Sequence, residues 1–152
     1  MLIAKNRKAL FNYEIIEKYL AGIMLTGYEV KALREHNVNF EGSFVKIENG
    51  EALLINLQIG RYSKQGQKID EAAEKRTRKL LLNKVELEKI TRQIQEKGKT
   101  IVPLAFVLRN NLIKLEIAVV KGRKKYEKKQ VAKTRQIEKD LLRQRKDMGI
   151  RG

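Results

Sequence analysis

The sequence predicts an antiparallel α+β domain, mostly strand with helices between, carrying a basic tail. An Asn49-Gly50 pair sits between two apolar runs and signals a hairpin. A second pair of runs alternates apolar and polar residues with period two, so one face is buried. Past Lys121, large apolar residues become sparse while cations do not. The expected boundaries are therefore residues 1–121 for the folded domain and 122–152 for the tail. A small closed or partly closed barrel is the natural way for such strands to hide their edges.

Residues 13–27 carry the first strand signal, with Tyr13, Ile15 and Tyr19 partly alternating with Glu14 and Lys18. Gly22 places a bend or bulge near Ala21-Gly22. Thr26 followed by Glu29 forms a capping box, opening a short helix to about Glu35 with Val30 and Leu33 inward. Phe44-Val-Lys-Ile and Ala52-Leu-Leu-Ile-Asn-Leu are the arms of the hairpin, because Asn-Gly tolerates positive φ at both turn positions. Residues 61–79 are polar and read as a long loop closed by Lys75-Arg76-Thr77-Arg78-Lys79. Asn83 with Glu86 caps a helix from Lys84 to Lys97, with Leu87, Ile90 and Ile94 on one face and Gly98 as its stop. Thr100–Leu108 and Leu112–Val120 form two further strands joined by Arg109-Asn110-Asn111. Pro103 belongs at an edge or bulge, since it donates nothing to a ladder.

Charge is the strongest compositional signal. Thirty-four Lys and Arg face eighteen Asp and Glu, a net +16 over 152 residues. Such a field attracts phosphate polyanions and speeds their capture, so the expected partner is nucleic acid. The basic stretches are widely spread and lack a Trp/Phe-rich amphipathic helix, which argues against a membrane surface. Fewer than 18 consecutive residues are apolar anywhere, so no membrane-spanning helix is expected. The opening Met1-Leu-Ile-Ala-Lys-Asn-Arg-Lys turns basic too soon for a secretory signal. Cysteine is absent, which removes disulfide and thiolate chemistry and fits a cytoplasmic protein. The single histidine, His36, has no metal-binding partners at suitable spacing, and no Gly-rich phosphate loop of the Walker or Rossmann type occurs. No catalytic residue, metal site or cofactor is expected. The tail holds half the net charge, +8 in 31 residues. Its large apolar residues, among them Val131, Ile137, Leu141, Leu142 and Met148, are too few for a core, so it is expected to be disordered when free.

Several segments then become specific in order. They are Ala4-Lys5-Asn6-Arg7-Lys8-Ala9, Ala21-Gly22-Ile23 and Leu25-Thr26-Gly27-Tyr28-Glu29-Val30-Lys31-Ala32-Leu33-Arg34. Val38-Asn39-Phe40-Glu41-Gly42-Ser43-Phe44, Asn49-Gly50-Glu51-Ala52 and Arg78-Lys79-Leu80-Leu81-Leu82 follow. Lys97-Gly98-Lys99-Thr100-Ile101-Val102-Pro103-Leu104 and Lys121-Gly122-Arg123-Lys124-Lys125-Tyr126-Glu127-Lys128-Lys129 complete them. Each is weak alone. Their succession over residues 3–129 resembles the small protein B family, the SsrA-binding proteins of bacterial trans-translation. Departures are local. Tyr28 and Ala32 stand where the family usually has Thr and Ser, and His36 replaces a usual Gly at the end of the first helix. Glu71-Ala72-Ala73-Glu74 replaces an Asn-His-Asp/Glu-Pro segment, removing its histidine and proline. Glu127-Lys128-Lys129 keeps the charges of the usual Asp-Lys-Arg.

The resemblance implies an oligonucleotide-binding-like barrel with about three helices. It implies binding to the tRNA-like domain of tmRNA, whose alanine-charged complex is delivered by elongation factor Tu to stalled ribosomes for peptide tagging and rescue. The protein would be a monomer that catalyses nothing, its body replacing part of a truncated tRNA and its tail replacing missing mRNA in the decoding region and mRNA channel. Carried over by position, the RNA-binding residues are Asn6, Arg7, Lys8, Glu29, Lys31 and Arg34, then Lys121, Gly122, Arg123, Lys124 and Lys125. The tail cations Lys128, Lys129, Lys133, Arg135, Lys139, Arg143 and Arg145 would face the ribosome, with the tail helical there. The Lys121–Lys125 run follows a strand, where a rigid body aims it at phosphates. Glu29 would repel phosphate, so it would accept from base edges or a 2′-hydroxyl, or serve only as a helix cap.

Overall fold

The computed structural model describes residues 1–64 and 71–122, with Gln136. In chain order the elements are β1 (Leu2–Lys5), α1 (Arg7–Asn12), β2 (Tyr13–Ile23), α2 (Gly27–Arg34), β3 (Val38–Asn39), β4 (Phe44–Glu48) and β5 (Glu51–Ile55). β6 (Gln58–Ile59), α3 (Glu71–Glu74), β7 (Arg78–Leu81), α4 (Lys84–Gln93), β8 (Lys99–Arg109) and β9 (Leu112–Gly122) follow. The protein is mostly antiparallel sheet with a few helices. Seven strands pair in the order β1-β8-β4-β5-β7-β2-β9, and β8 also pairs with β9. β3 and β6 form a separate two-stranded ribbon. Among the described residues, no helix is long and apolar enough to cross a membrane.

The hairpin signal is borne out: β4 and β5 pair in register from Phe44↔Ile55 to Glu48↔Glu51, with Asn49 at φ 52° and Gly50 at φ 74°. β8 and β9 meet at a second such turn, Asn110 and Asn111, at φ 50° and 64°. The predicted irregularity at Pro103 is present, since the β8–β9 register shifts between Pro103 and Ala105. Both capping boxes form: Thr26 with Glu29 opens α2, and Asn83 with Glu86 opens α4. Such caps satisfy backbone N–H groups that the first turn leaves without partners.

The sheet's inner face carries the main core, where Leu33, Leu54, Ile90, Phe106, Leu115, Ile117 and Val119 are fully buried. Each such side chain stabilises by ~1.5–3 kcal/mol relative to exposure. β9 was expected to bury one face only. Toward its end it buries both, because Ala118 and Val120 join Val102 and Leu104 under Ala9 and Leu10 of α1.

Other expectations need correction. The irregularity in β2 lies between Ile15 and Glu17, where the β2–β9 register shifts, not at Ala21-Gly22. Gly22 instead admits the close approach of β7: a Cβ there would meet the Leu81 Cβ at 3.1 Å. In α2 the buried positions are Glu29, Ala32 and Leu33, with Val30 only half-buried. α4 ends at Gln93, not Lys97, and a turn leads to Gly98 at φ 85°. The segment read as a loop over 61–79 contains α3 and the start of β7. His36 adopts φ 62°, unusual for a residue with a Cβ, and its Nδ1 hydrogen-bonds the Ile3 carbonyl at 2.7 Å.

Candidate nucleic-acid interface

The start of β2, which follows α1 directly, and the end of β9 meet in space. Asn6 caps α1: its Oδ1 accepts from the Ala9 amide at 3.3 Å, and its Nδ2 donates to the Pro103 carbonyl at 2.8 Å. Both polar ends of Asn6 are thus engaged within the protein, and the residue acts by fixing where α1 begins. Arg7 and Lys8 follow on the exposed side of the helix. Lys8 approaches Glu41 at 3.9 Å, with both side chains largely in solvent, a pair worth little. α1 passes directly into β2, whose first residues pair with the end of β9: Tyr13 opposite Gly122 and Glu14 opposite Lys121. A cleft of about 630 Å³ opens beside this junction, lined by Arg7, Lys8, Asn12, Tyr13, Phe44 and Thr100 among others. It combines cations for phosphate, amides for hydrogen bonds and rings for stacking. Lys121 and Gly122 are exposed at the strand end.

The second predicted segment lies on α2. Glu29 is nearly buried, and its carboxylate is taken up inside the protein. Its Oε1 accepts from the Thr26 amide at 2.9 Å and from Arg76. Its Oε2 accepts from Arg78 Nε at 2.6 Å, and Arg78 Nη2 completes the ion pair at 2.6 Å. Arg78 is fully buried and is further held by the carbonyls of Leu57, Glu74 and Arg76 at 2.6, 2.7 and 3.1 Å. Burial alone would raise the Glu29 carboxyl. The hydrogen bonds from Arg76 and Thr26 and the charge of Arg78 outweigh it, holding that carboxyl below the ordinary carboxylate range. Arg78 is pulled down by its burial, and the Glu29 charge opposes that. Lys31 and Arg34 are exposed on the same helix. Lys31 Nζ lies 5.8 Å from the Tyr28 ring centroid and 5.3 Å from that of Tyr62.

Residues 3–147 match the family model of the SmpB protein. The chain belongs to the SmpB family. The SsrA-binding protein of Persephonella marina is 46% identical over 145 residues, covering 95% of this chain and 94% of that protein. That of Mycoplasma mycoides is 43% identical over 142 residues, covering 93% and 95%. A chain in the solved structure described as "tmRNA-SmpB: a journey to the center of the bacterial ribosome" superposes with a TM-score of 0.68 at 40% identity, covering 82% of this chain and 87% of that one.

Within this SmpB-family fold, Asn6, Arg7 and Lys8 share the cleft at the start of α1, Lys121 and Gly122 lie at the end of β9 opposite Glu14 and Tyr13, and Glu29, Lys31 and Arg34 share α2. The remaining positions, Arg123, Lys124, Lys125 and the tail cations Lys128, Lys129, Lys133, Arg135, Lys139, Arg143 and Arg145, lie outside the described residues. Sequence reasoning missed Arg76 and Arg78 as structural partners of Glu29, because a run of five polar residues reads as solvated. In β7 burial alternates, with Arg78 and Leu80 buried and Lys79 and Leu81 exposed, but the sequence Arg-Lys-Leu-Leu carries no such alternation to signal it. Tyr62 was missed because its neighbours are those of a loop.

Proposed function

We propose that this protein binds the tRNA-like domain of tmRNA and accompanies it to stalled ribosomes in trans-translation, where peptide tagging and ribosome rescue follow. The observation that carries the reading is the family match across nearly the whole chain, together with a structural neighbour described as a tmRNA–SmpB assembly in the ribosome. The reading extends to the fold. The pairings β8-β4-β5-β7-β2-β9 return to β8, an order that supports an oligonucleotide-binding-like barrel. The cleft residues Arg7 and Lys8, with Lys121 through Lys125, hold phosphates. Lys31 and Arg34 supply a second contact. Glu29 serves RNA through the arginine it positions, Arg76, which is partly exposed. These groups are cations, amides and rings, which bind phosphates and bases, and the protein acts as a binding partner and not an enzyme. Its +16 charge opposes self-association, consistent with a monomer working in the cytoplasm with charged tmRNA and elongation factor Tu. The folded domain, residues 1–121, with the basic run that continues to Lys125 carries RNA binding, and the rest of the tail to residue 152 acts on the ribosome.

Salt titration tests the phosphate contacts. With about four to six phosphates engaged, log K against log salt falls with a slope of roughly −3 to −5. Replacing Lys121, Arg123, Lys124 and Lys125 by Gln flattens that slope. A slope near zero in the unaltered protein, measured by filter binding to a tRNA-like-domain transcript, contradicts the phosphate clamp.

A further inference from the structure

The aromatic and basic residues at the start of α2 form a feature that helix capping and core packing leave unexplained. Tyr28 is in the first turn of α2 and is 52% exposed. Its ring leans on Tyr62, with centroids 6.5 Å apart and planes at 32°. Lys31, one turn further on, brings its ammonium toward both rings. Among the described residues Lys31 makes no ion pair with a carboxylate, so its charge stays available. Arg34 follows three residues later and is also exposed, extending the basic face along the helix. On its other side Tyr28 borders a pocket of about 260 Å³ shared with Gly60, Glu74 and Arg76. The pocket has room for a planar ring. Glu74 and Arg76 line it, Glu74 Oε2 accepting from Gln58 and the Arg76 guanidinium shared between Glu29 and the Met24 carbonyl. Tyr62 is already half-buried, so packing at this corner does not require a second, solvent-facing ring.

We propose that Tyr28 is a stacking platform for one unpaired nucleobase of the bound RNA, seated in the pocket beside Arg76 with its phosphate on Lys31. An exposed ring next to unpaired cations is the combination that holds single-stranded nucleic acid, because every base has a π-face and every nucleotide a phosphate. A solvent-facing ring can stack only on a base that is itself unstacked, which selects a loop or bulge nucleotide over a duplex. This inference rests on the RNA-binding reading above.

The chain contains no tryptophan, so Tyr28→Trp in the full-length protein provides a single tryptophan, excited selectively over the remaining tyrosines, at the platform. Titrated with a transcript of the tRNA-like domain, its emission should be quenched with the midpoint that a gel shift gives for the same protein. Tyr28→Leu keeps bulk against Tyr62 but removes the π-face. It should bind about five- to hundredfold more weakly, the range of stacking on one base, with the salt slope and melting temperature nearly unchanged. Lys31→Gln should flatten the slope by roughly 0.7 to 0.9, the loss of one phosphate contact. Unquenched emission at full gel-shift occupancy, or undiminished binding by Tyr28→Leu, overturns the platform while leaving the RNA-binding reading intact. Absence of any shift with the unaltered protein overturns both.

Discussion

Truncation after Lys129 is expected to leave affinity for tmRNA within a few-fold and to abolish peptide tagging on stalled ribosomes. The body holds the cleft and the α2 face, and it retains the start of the basic run at Lys121 and Gly122, which closes β9. The removed segment carries cations at Lys133, Arg135, Lys139, Arg143 and Arg145, with Ile137, Leu141, Leu142 and Met148 near helical spacing between them. An isolated helix of that length is marginal in water, since nucleation is costly. An RNA-lined channel supplies phosphates for the cations and repays the ordering only on docking. A probe of this kind settles only where the channel is empty of mRNA. Binding assays and an in vitro tagging reaction on stalled ribosomes, run on the same truncated preparation, separate the two functions. Lost tmRNA binding, or normal tagging without the tail, contradicts the division of labour. A tail already helical in the free protein, seen by NMR, contradicts the folding-on-docking step.

Glu29→Ala is expected to be strongly destabilising. A simple helix cap is worth about 1 kcal/mol, but Glu29 also answers the fully buried Arg78. Removing one partner of a buried pair leaves an uncompensated charge and costs ~3–5 kcal/mol, lowering the melting temperature by about 10–20 °C for a domain of this size. Glu29→Gln keeps an acceptor for Thr26 and the arginines, so it should cost less. The pH dependence follows from the direction of the Glu29 shift. Its folded carboxyl lies below its unfolded value, so its contribution is fully present above the unfolded range, about 4.3, and is lost as pH falls through the folded value. The stability gap between parent and Glu29→Gln should therefore be widest near neutrality and shrink in acid. Urea melts at a series of pH values measure it. A gap independent of pH, or a Glu29→Ala protein as stable as its parent, contradicts the buried-pair account.

What the sequence disclosed depended on how local each signal was. The Asn49-Gly50 hairpin, the two capping boxes and the alternation of β9 each lie within a few residues and were legible. β7 was not, because Arg78 is buried by pairing with Glu29, 49 positions earlier, and no local rule distinguishes it from a solvated arginine. β1 and α1 were missed for a different reason: α1 spans six residues and buries only Ala9, too little to show a helical period. The cleft assembles residues from α1, β2, β4 and β8, so its lining emerges only from strand register. The family motifs pointed to Asn6 and Glu29, but only the geometry shows both engaged inside the protein, Asn6 at the start of α1 and Glu29 with Arg76 and Arg78.

The central claim is recognition of one RNA, and competition tests it most directly. The purified protein is bound to labelled tmRNA near physiological salt and challenged separately with unlabelled tmRNA and with bulk tRNA. Release by tmRNA at concentrations well below those needed for tRNA is the expected result. Equal displacement by the two would show a basic protein that binds RNA by charge alone, and would contradict the function proposed for this chain.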